Sequence, residues 1–371
     1  MNTAERAHAL AAACGGFARL LGPASTEAFL EWVRIELGHE GVLDGFQKIG
    51  GQRMRAIAPG TILHIVSGNT PHAALQSLIR GLLLGSHNLC KLPGAGLPEA
   101  EAFATALPEE LRERVEFSTT LPDGWLAKLD AVIVFGSDET IAHFRALAPP
   151  GQPFLGYGHR VSLGMVFKDD AFVSAPRAAL DASLFDQQGC LSPHCIYVAD
   201  RPSEYAARLA VEMGRLGLEH PRTRLSVSEA AGIAETREAA RFRAAIGEPI
   251  RLWESAGSNE WTVIFDADAT FSVSPLNRVI FVRPLVEDMA RALEGVRRFL
   301  STIGIWPNTA GFAERAAALG ASRVCALGRM QEPAWTWRQD GRGTLWPLVS
   351  WQGWDPIGDP CDPSDLWLQT S

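Results

Sequence analysis

The sequence predicts an α/β protein, with a doubly wound parallel sheet in its first half and a second α/β unit after it. In residues 61–148, β-rich runs alternate with helical patterns, and such alternation implies parallel strands joined by helical crossovers. A second alternation begins near residue 161, and the segment PPGQP at 149–153 has the composition of a hinge. We therefore predict one domain over residues 1–150 and another over residues 151–328.

The elements of the first half follow from hydrophobic periodicity. Residues 3–38 carry apolar side chains at helical spacing, with a break at Gly22-Pro23. After them the pattern predicts strands at 61–66, 88–92, 115–119 and 131–135, and helices at 71–85, 98–107, 125–129 and 139–148. The helix from Pro71 carries an apolar stripe suited to packing on a sheet, formed by Leu75, Leu78, Ile79, Leu82 and Leu83.

The second half is assigned in the same way. The patterns predict strands at 161–167, 196–198, 261–265 and 278–282, helices at 177–184, 204–215, 236–246 and 287–300, and a last crossover over 301–327. The tail, residues 329–371, is rich in tryptophan and lacks a helical period. We predict that it forms strands and loops that pack on the first domain or on another subunit, and a stack of core aromatic side chains is the alternative.

Composition limits the class of protein. The 371 residues are 47% hydrophobic and 20% charged, which is typical of a globular chain of enzyme size. The formal net charge of -8, without a dense Lys/Arg cluster, argues against a nucleic-acid partner. No apolar stretch has the length of a membrane span, so we expect a cytoplasmic protein.

Cysteine usage points to one thiol. The six cysteines show no disulfide framework spacing, and Cys190, His194 and Cys195 lack a second ligand pair, so we expect free thiols and no metal. Cys190 follows Gly189 and precedes a short apolar run, the setting of a nucleophile at a turn. The alternative is a small buried hydrophobic side chain.

Three loops follow predicted strands of the first sheet, at 67–70, 91–94 and 136–139. Ligands of such sheets bind at the carboxyl ends of the strands. Gly136 and Ser137 close a strand and open a helix, an arrangement that can bind a pyrophosphate, although Ser137 as a simple helix cap is the alternative. No GxGxxG motif occurs in this region, so the cofactor assignment does not rest on that motif.

Several blocks of the chain together resemble a known family. They are ILHIVSGNTP at 62–71, GLLLGSHN at 81–88, KLP at 91–93, Gly124 with VFGS at 134–137, YGHRVS at 157–162, FDQQGCLSP at 185–193 and DG at 340–341. In their order and spacing the chain resembles the acyl-CoA reductases of bacterial bioluminescence, the fatty-acid reductase family within the aldehyde dehydrogenase superfamily.

The resemblance implies an aldehyde-dehydrogenase-like fold, with a nicotinamide cofactor domain over 1–150 and a catalytic domain over 151–328. It implies that Cys190 attacks a fatty acyl thioester and that the resulting S-acyl enzyme is reduced to an aldehyde. The Asn69 side-chain amide and the Cys190 backbone N–H would stabilise the oxyanion, and Asn69 as a turn residue is the alternative. The cofactor would contact Ser67, Lys91, Pro93, Gly124, Gly136 and Ser137.

Two departures from the superfamily matter. The hydrolytic aldehyde dehydrogenases carry a general-base glutamate just before the segment that matches Gly158, and this chain has no acid between residues 151 and 162. They also carry a glutamate that binds the nicotinamide ribose, and none lies between residues 271 and 285 here. Without a base that activates water, an acyl-cysteine would persist until it is reduced.

The expected coenzyme is NADPH. NAD-preferring relatives place an acid soon after Lys-x-Pro, whereas here Gly94 follows Pro93 and the next acid is Glu99. The expected substrate is acyl-CoA or an acyl-carrier protein, an acyl-transferring protein is a candidate partner, and we expect a homo-oligomer.

Two other activities stay open at this point. One is a cysteine acyltransferase without redox activity, with His159 or His194 as base. The other is an aldehyde dehydrogenase or acyl-phosphate reductase of the same fold.

Overall fold

The structure, a computed structural model, describes residues 1–68, 71–168, 171–222 and 225–355. The chain forms two compact units. The first contains Met1–Gly156 and the segment that begins at Gly343, and the second is Tyr157–Arg342. The hinge predicted at 149–153 lies shortly before the change from the first unit to the second.

The N-terminal region is helical, as predicted. It contains α1 (Thr3–Cys14), α2 (Ala18–Leu21) and α3 (Thr26–Leu37). The Asn2 side chain caps α1 through the Glu5 amide, and Ser25 caps α3 through the amide of Ala28, 3.1 Å away. Strands β1 (Gln47–Ile49) and β2 (Gln52–Ile57) follow and pair antiparallel.

The doubly wound sheet of the first unit is confirmed. Its elements are β3 (Thr61–Ile65), α4 (Pro71–Leu84), β4 (His87–Lys91), α5 (Pro98–Ala106), α6 (Glu109–Arg112), β5 (Val115–Ser118), β6 (Ala131–Phe135), α7 (Asp138–Leu147) and β7 (Phe154–Tyr157). The strand order is β5-β4-β3-β6-β7, and β3 pairs parallel with both β4 and β6. The direction of winding therefore reverses between β3 and β6, and ligands of open α/β sheets bind at such a switch point.

A buried polar network explains one of the sequence blocks. His64 on β3 is fully buried, with Nδ1 2.7 Å from the Ser77 hydroxyl of α4 and Nε2 3.0 Å from Oδ1 of Asn88 on β4. Burial lowers the pKa of His64 to about 3, so the ring is neutral. A Cβ on Gly81 would lie 1.8 Å from the Asn88 amide oxygen, so only glycine fits there. The residues of the block GLLLGSHN at 81–88 thus allow α4 to pack closely on β4.

The second unit contains a larger sheet. Its elements are β8 (Val161–Val166), α8 (Ala171–Ser183), β9 (Pro193–Val198), α9 (Pro202–Glu219), α10 (Val227–Ala245), β10 (Ile250–Glu254), β11 (Thr262–Asp266), β12 (Val279–Pro284), α11 (Met289–Ala292), β13 (Leu300–Trp306), α12 (Ala310–Ala317) and β14 (Arg323–Ala326). The order is β10-β11-β12-β9-β8-β13-β14, antiparallel only at β10. Apolar clusters cover both faces, one with α8 and α9 and the other with α10 and α12.

Two details of this unit differ from the sequence prediction. The continuous helix predicted over 287–300 is wrong, because the structure has only α11 and a 3-10 turn at Arg297–Phe299 before β13 begins. Gly295 lowers the helix propensity of this segment, and the apolar run from Leu300 fills a buried position between β8 and β14. Strand β10, which was not predicted, lies at the sheet edge.

The tail contributes a strand to the first unit. Strand β15 (Ser350–Trp354) pairs antiparallel with β2 and completes a three-stranded sheet. Just before β15, the buried Glu36 carboxylate at the end of α3 accepts hydrogen bonds from the amides of Thr344 (2.7 Å), Leu345 (2.6 Å) and Trp346 (3.0 Å). One carboxylate therefore anchors the start of the tail on the N-terminal helices. Among the described residues no helix is both long and apolar enough to cross a bilayer.

We predict that Glu36→Ala lowers the free energy of unfolding by about 3 kcal/mol, because three backbone amides, two of them buried, lose a charged acceptor. The exposed Glu31 of the same helix, which pairs with Arg34 at the surface, is the matched control, and Glu31→Ala is expected to cost less than about 1 kcal/mol. Urea denaturation measures both. Burial raises the pKa of Glu36, but the hydrogen bonds from Thr344, Trp346, Leu345 and Trp32 outweigh it, so the folded-state pKa is lowered.

This direction also sets the pH dependence. A lowered carboxyl pKa contributes stability above its unfolded value and loses it as pH falls through the folded value, so the difference between wild type and Glu36→Ala should shrink in acid. Equal stability of the two proteins at neutral pH would refute the anchoring role.

Candidate active site

Cys190 lies in a tight turn between helix and strand. A tight turn (Leu184–Gln187) follows α8, the Ser192 amide donates to the Gly189 carbonyl at 2.9 Å, and β9 begins at Pro193. Of the cysteines in the described ranges, Cys14, Cys90 and Cys195 are buried, Cys325 is half-buried and Cys190 is exposed. Cys361 lies outside the described residues. Cys190 is therefore the most exposed cysteine among the described residues.

Neighbouring strands hold this turn through hydrogen bonds. The Ser162 hydroxyl on β8 donates to the Cys190 carbonyl at 2.7 Å and accepts from the Thr302 amide on β13 at 3.2 Å. The Gln331 side chain donates to the Ser192 hydroxyl at 2.8 Å. Since Ser162 is fully buried, the backbone of Cys190 is tied to the rigid centre of the sheet.

The thiol is not ionised at rest. Although Cys190 is exposed as a residue, protein atoms pack around its sulfur, and this desolvation raises its pKa to about 12. The Asp340 carboxylate raises the Cys190 pKa further, whereas the backbone N–H of Cys190 and the Arg160 guanidinium act in the opposite direction. Formation of a thiolate therefore requires a change in this charge balance or a proton acceptor.

Asp340 and Arg160 form an ion pair that acts on the thiol. Arg160 Nε lies 3.1 Å from Asp340 Oδ2, and Arg342 Nη2 lies 3.8 Å from the same oxygen. Burial raises the pKa of Asp340 and its two arginine partners lower it, with a net upward shift. In the sequence, both segments are recognisable only as parts of a family resemblance. Their proximity was not predictable, because 180 residues separate them.

The predicted cofactor residues lie in the first unit. Ser67 and Gly68 follow β3, and a Cβ on Gly68 would lie 3.3 Å from the Pro93 ring, so the loops after β3 and β4 touch. Ser137 caps α7, with its hydroxyl 3.2 Å from the Thr140 amide, so the capping alternative is correct as far as this hydroxyl is concerned. A Cβ on Gly136 would lie 3.0 Å from the Thr140 methyl group, so the turn before α7 leaves little room for a side chain there.

The other predicted residues have separate positions. Lys91 is half-buried at the end of β4, between Ile65 and Ser118 in register. Gly124 has a φ of 88° in the connection between β5 and β6, where Trp125 packs on the sheet. Asn69 lies outside the described residues.

Comparison with known proteins identifies the family. Residues 7–351 match the family described as acyl-CoA reductase (LuxC). The chain belongs to this family. It is 23% identical over 322 residues to the long-chain acyl-protein thioester reductase of Vibrio harveyi, an alignment that covers 82% of this chain and 66% of that protein. The chain thus spans slightly less than two thirds of the curated relatives that it matches first.

Solved structures agree on the fold. The NAD-dependent benzaldehyde dehydrogenase of Corynebacterium glutamicum has a TM-score of 0.65 at 16% identity, covering 97% of this chain and 86% of that chain. The aldehyde dehydrogenase of Bacillus cereus, solved as its NAD+ complex, has a TM-score of 0.65 at 14% identity, covering 95% and 84%. The predicted aldehyde-dehydrogenase-like fold and the resemblance to the acyl-CoA reductases are confirmed.

The two histidines considered as bases differ in their surroundings. His194 Nδ1 accepts from the Ser274 amide at 3.2 Å, and burial lowers the pKa of the ring to about 4. That nitrogen is therefore occupied by a structural bond. His159 is exposed and follows β7. Within the described ranges no group of three or more His, Cys, Asp or Glu residues is arranged to bind a metal.

We predict that Asp340→Asn increases the rate of Cys190 alkylation by iodoacetamide at neutral pH about three- to tenfold, because loss of the carboxylate lowers the thiol pKa. Arg160→Gln should slow alkylation by a similar factor, since it removes the positive charge. Intact mass across the neutral and alkaline range measures both. Glu314→Gln, which removes an exposed acid on α12, is the control for net charge and should match wild type. A slower Asp340→Asn variant would contradict the assigned electrostatics.

Proposed function

We propose that this chain reduces a fatty acyl thioester to an aldehyde with NADPH, through an S-acyl intermediate on Cys190. The observation that carries the proposal is an exposed cysteine, Cys190, whose backbone carbonyl accepts a hydrogen bond from Ser162 on the central strand β8. The chain that carries it belongs to the acyl-CoA reductase family. The Vibrio harveyi relative is named for the reduction of long-chain acyl-protein thioesters, which supports the same substrate class here.

The chemistry begins at Cys190. Its sulfur bonds to the carbonyl carbon of the thioester, and the bond from that carbon to the leaving thiol then breaks, while the leaving thiolate takes up the proton that Cys190 loses. A bound NADPH supplies the hydride that reduces the acyl carbon. The oxyanion of the resulting thiohemiacetal then reforms the carbonyl, the bond between its carbon and the Cys190 sulfur breaks, and the aldehyde is released, while the Cys190 thiolate takes up a proton from solvent. The Cys190 N–H and the Asn69 amide are the proposed donors to the oxyanion.

The first unit is the proposed cofactor domain and the second the catalytic domain. The glycine turn at Gly136 and the N-terminus of α7 suit a pyrophosphate, because backbone amides and the helix dipole both favour an anion there. Ser67, Lys91, Pro93 and Gly124 are the other proposed contacts. Preference for NADPH rests on the exposed Gly94, after which no acid occurs before Glu99.

The acyl donor and the assembly are part of the same proposal. The donor is acyl-CoA or an acylated protein, delivered by an acyl-transferring partner in the second case. The chain is proposed to self-associate, and the exposure of Trp346 (58%) and Trp354 (47%) around β15 supports this, since large apolar side chains at a surface favour contact with another protein.

We predict that acyl-CoA without NADPH adds one acyl group to the wild type, on Cys190, and that Cys190→Ala takes up none. Cys325→Ala, which removes a half-buried thiol on β14, is the matched control and should be acylated normally. The acyl-enzyme should persist, because water attack lacks the roughly 10²- to 10⁴-fold assistance of a positioned base. Intact mass and peptide mapping follow the label, and added NADPH should discharge it to aldehyde.

Each other outcome selects another function. Discharge to acceptor thiols with no consumption of NADPH would indicate an acyltransferase. Rapid hydrolysis of the isolated acyl-enzyme to free acid would indicate an aldehyde dehydrogenase in which His159, Asp340 or another group activates water.

We predict that Lys91→Ala raises the apparent KM for NADPH about tenfold, through loss of one charged hydrogen bond. The rate of acylation by acyl-CoA should stay unchanged. Lys48→Ala, at an exposed position on β1 in the other sheet of the same unit, is the control and should change neither quantity. Steady-state kinetics and single-turnover acylation measure the two effects separately. Normal NADPH binding with failed acylation in Lys91→Ala would overturn the cofactor assignment.

A further inference from the structure

Two left-handed backbone turns occur in the catalytic unit. Residues 185–187 have φ of 53°, 51° and 64°, and residues 276–278 have φ of 62°, 58° and 58°. Each turn closes with the same type of bond, from the Gln188 amide to the Phe185 carbonyl at 2.9 Å and from the Val279 amide to the Leu276 carbonyl at 3.1 Å. None of the six residues is glycine, although L-residues pay a steric penalty in this conformation. The first turn ends three residues before Cys190.

The two turns are joined by an ion pair and a side-chain hydrogen bond. Arg278 Nη2 lies 2.7 Å from Asp186 Oδ1, and Arg278 is buried. Gln188 Nε2 donates to Asn277 Oδ1 at 2.9 Å. The middle of the first turn thus contacts the end of the second, and the residue after the first contacts the middle of the second.

The side chain of Gln187, the last residue of the first turn, connects both turns to the sheet. The side-chain amide of the fully buried Gln187 donates to the Pro193 carbonyl at 2.8 Å and to the Val279 carbonyl at 2.9 Å. These carbonyls lie at the first residues of β9 and β12, which are neighbours in the sheet. The chain that carries Cys190 is therefore fastened on both sides, at Gln187 before it and at Pro193 after it.

The second turn is itself held from outside. Arg222 donates to the Asn277 side chain at 3.0 Å and to its carbonyl at 2.7 Å. Arg278 donates to the His220 carbonyl at 3.0 Å. These hydrogen bonds hold the second turn in place, and the first turn contacts it through Asp186 and Gln188.

We propose that the turn at 276–278 is a buttress that forces residues 185–187 into the left-handed conformation, and that Asp186 and Arg278 are positioning residues for Cys190. Strained non-glycine backbone persists only where surrounding contacts over-determine it, and it clusters at functional sites. Through this conformation the sulfur and the backbone N–H of Cys190 are held in place before substrate binds. The inference rests on the proposed function insofar as it assigns acylation to Cys190.

The test compares substitutions that differ in their tolerance of the left-handed region. Asp186→Ala removes the ion pair and keeps the steric penalty, Asp186→Gly removes the ion pair and the penalty, and Asp186→Asn keeps a residue type that tolerates this conformation. If the pair acts through the backbone, Asp186→Ala should slow single-turnover acylation about tenfold, and the Gly and Asn variants should keep most of the wild-type rate. Arg278→Ala should lower the acylation rate less in the Asp186→Gly background than in the wild type.

A second readout distinguishes positioning from mere stability. In a relaxed turn the sulfur leaves its desolvated position, so the pH profile of Cys190 alkylation by iodoacetamide should move to lower pH in Asp186→Ala and stay in place in Asp186→Gly. Thermal unfolding is recorded for each variant, so that lost activity can be compared with lost fold.

The outcomes decide the two claims separately. Equal acylation and alkylation in wild type and Asp186→Ala, or equal losses in all three Asp186 variants, would overturn the buttress. A wild type that alkylates at Cys190 and takes up no acyl group would overturn the proposed function, and the alkylation profiles of the variants would still decide the buttress.

Discussion

Parallel strand pairing is the constraint on which the rest of this structure depends. Parallel strands buried on both faces need helical crossovers, and their interiors are mostly apolar. In the first unit the run AVIVF at 131–135 is entirely buried, and in the second every residue of β9 is buried. The residues proposed for catalysis and cofactor binding lie accordingly at the ends of strands, with Cys190 before β9 and Lys91 at the end of β4.

The environment of Cys190 opposes its own ionisation. Burial and the Asp340 carboxylate raise the thiol pKa, and this pair of effects exceeds the help from Arg160 and the backbone N–H. A protonated resting thiol is protected from adventitious oxidation and alkylation, because the thiolate is the reactive form.

Backbone strain and buried polar contacts are balanced against one another in the turn before Cys190. Left-handed residues destabilise the folded chain, and a buried ion pair such as Asp186–Arg278 is weak compensation by itself, because desolvation offsets much of its attraction. The hydrogen bonds of Gln187, Gln188 and Arg222 provide the remaining support. Such an arrangement holds the turn in one backbone geometry at the expense of folding stability, as preorganised sites do.

Local pattern by itself determined the alternation of strands and helices, the doubly wound sheet and Cys190 as the candidate nucleophile, because hydrophobic periodicity and turn residues act over short stretches of chain. It failed at residues 287–300, where a buried strand position outweighed an apparent helical period. Only the tertiary structure decided that Asp340 and Arg160 act on the thiol, that Glu36 anchors the tail, and that the turn at 276–278 supports the turn at 185–187. Each of these contacts joins residues about 90 to 310 positions apart, and burial, charge and strain at such pairs depend on the folded chain, which no local pattern encodes.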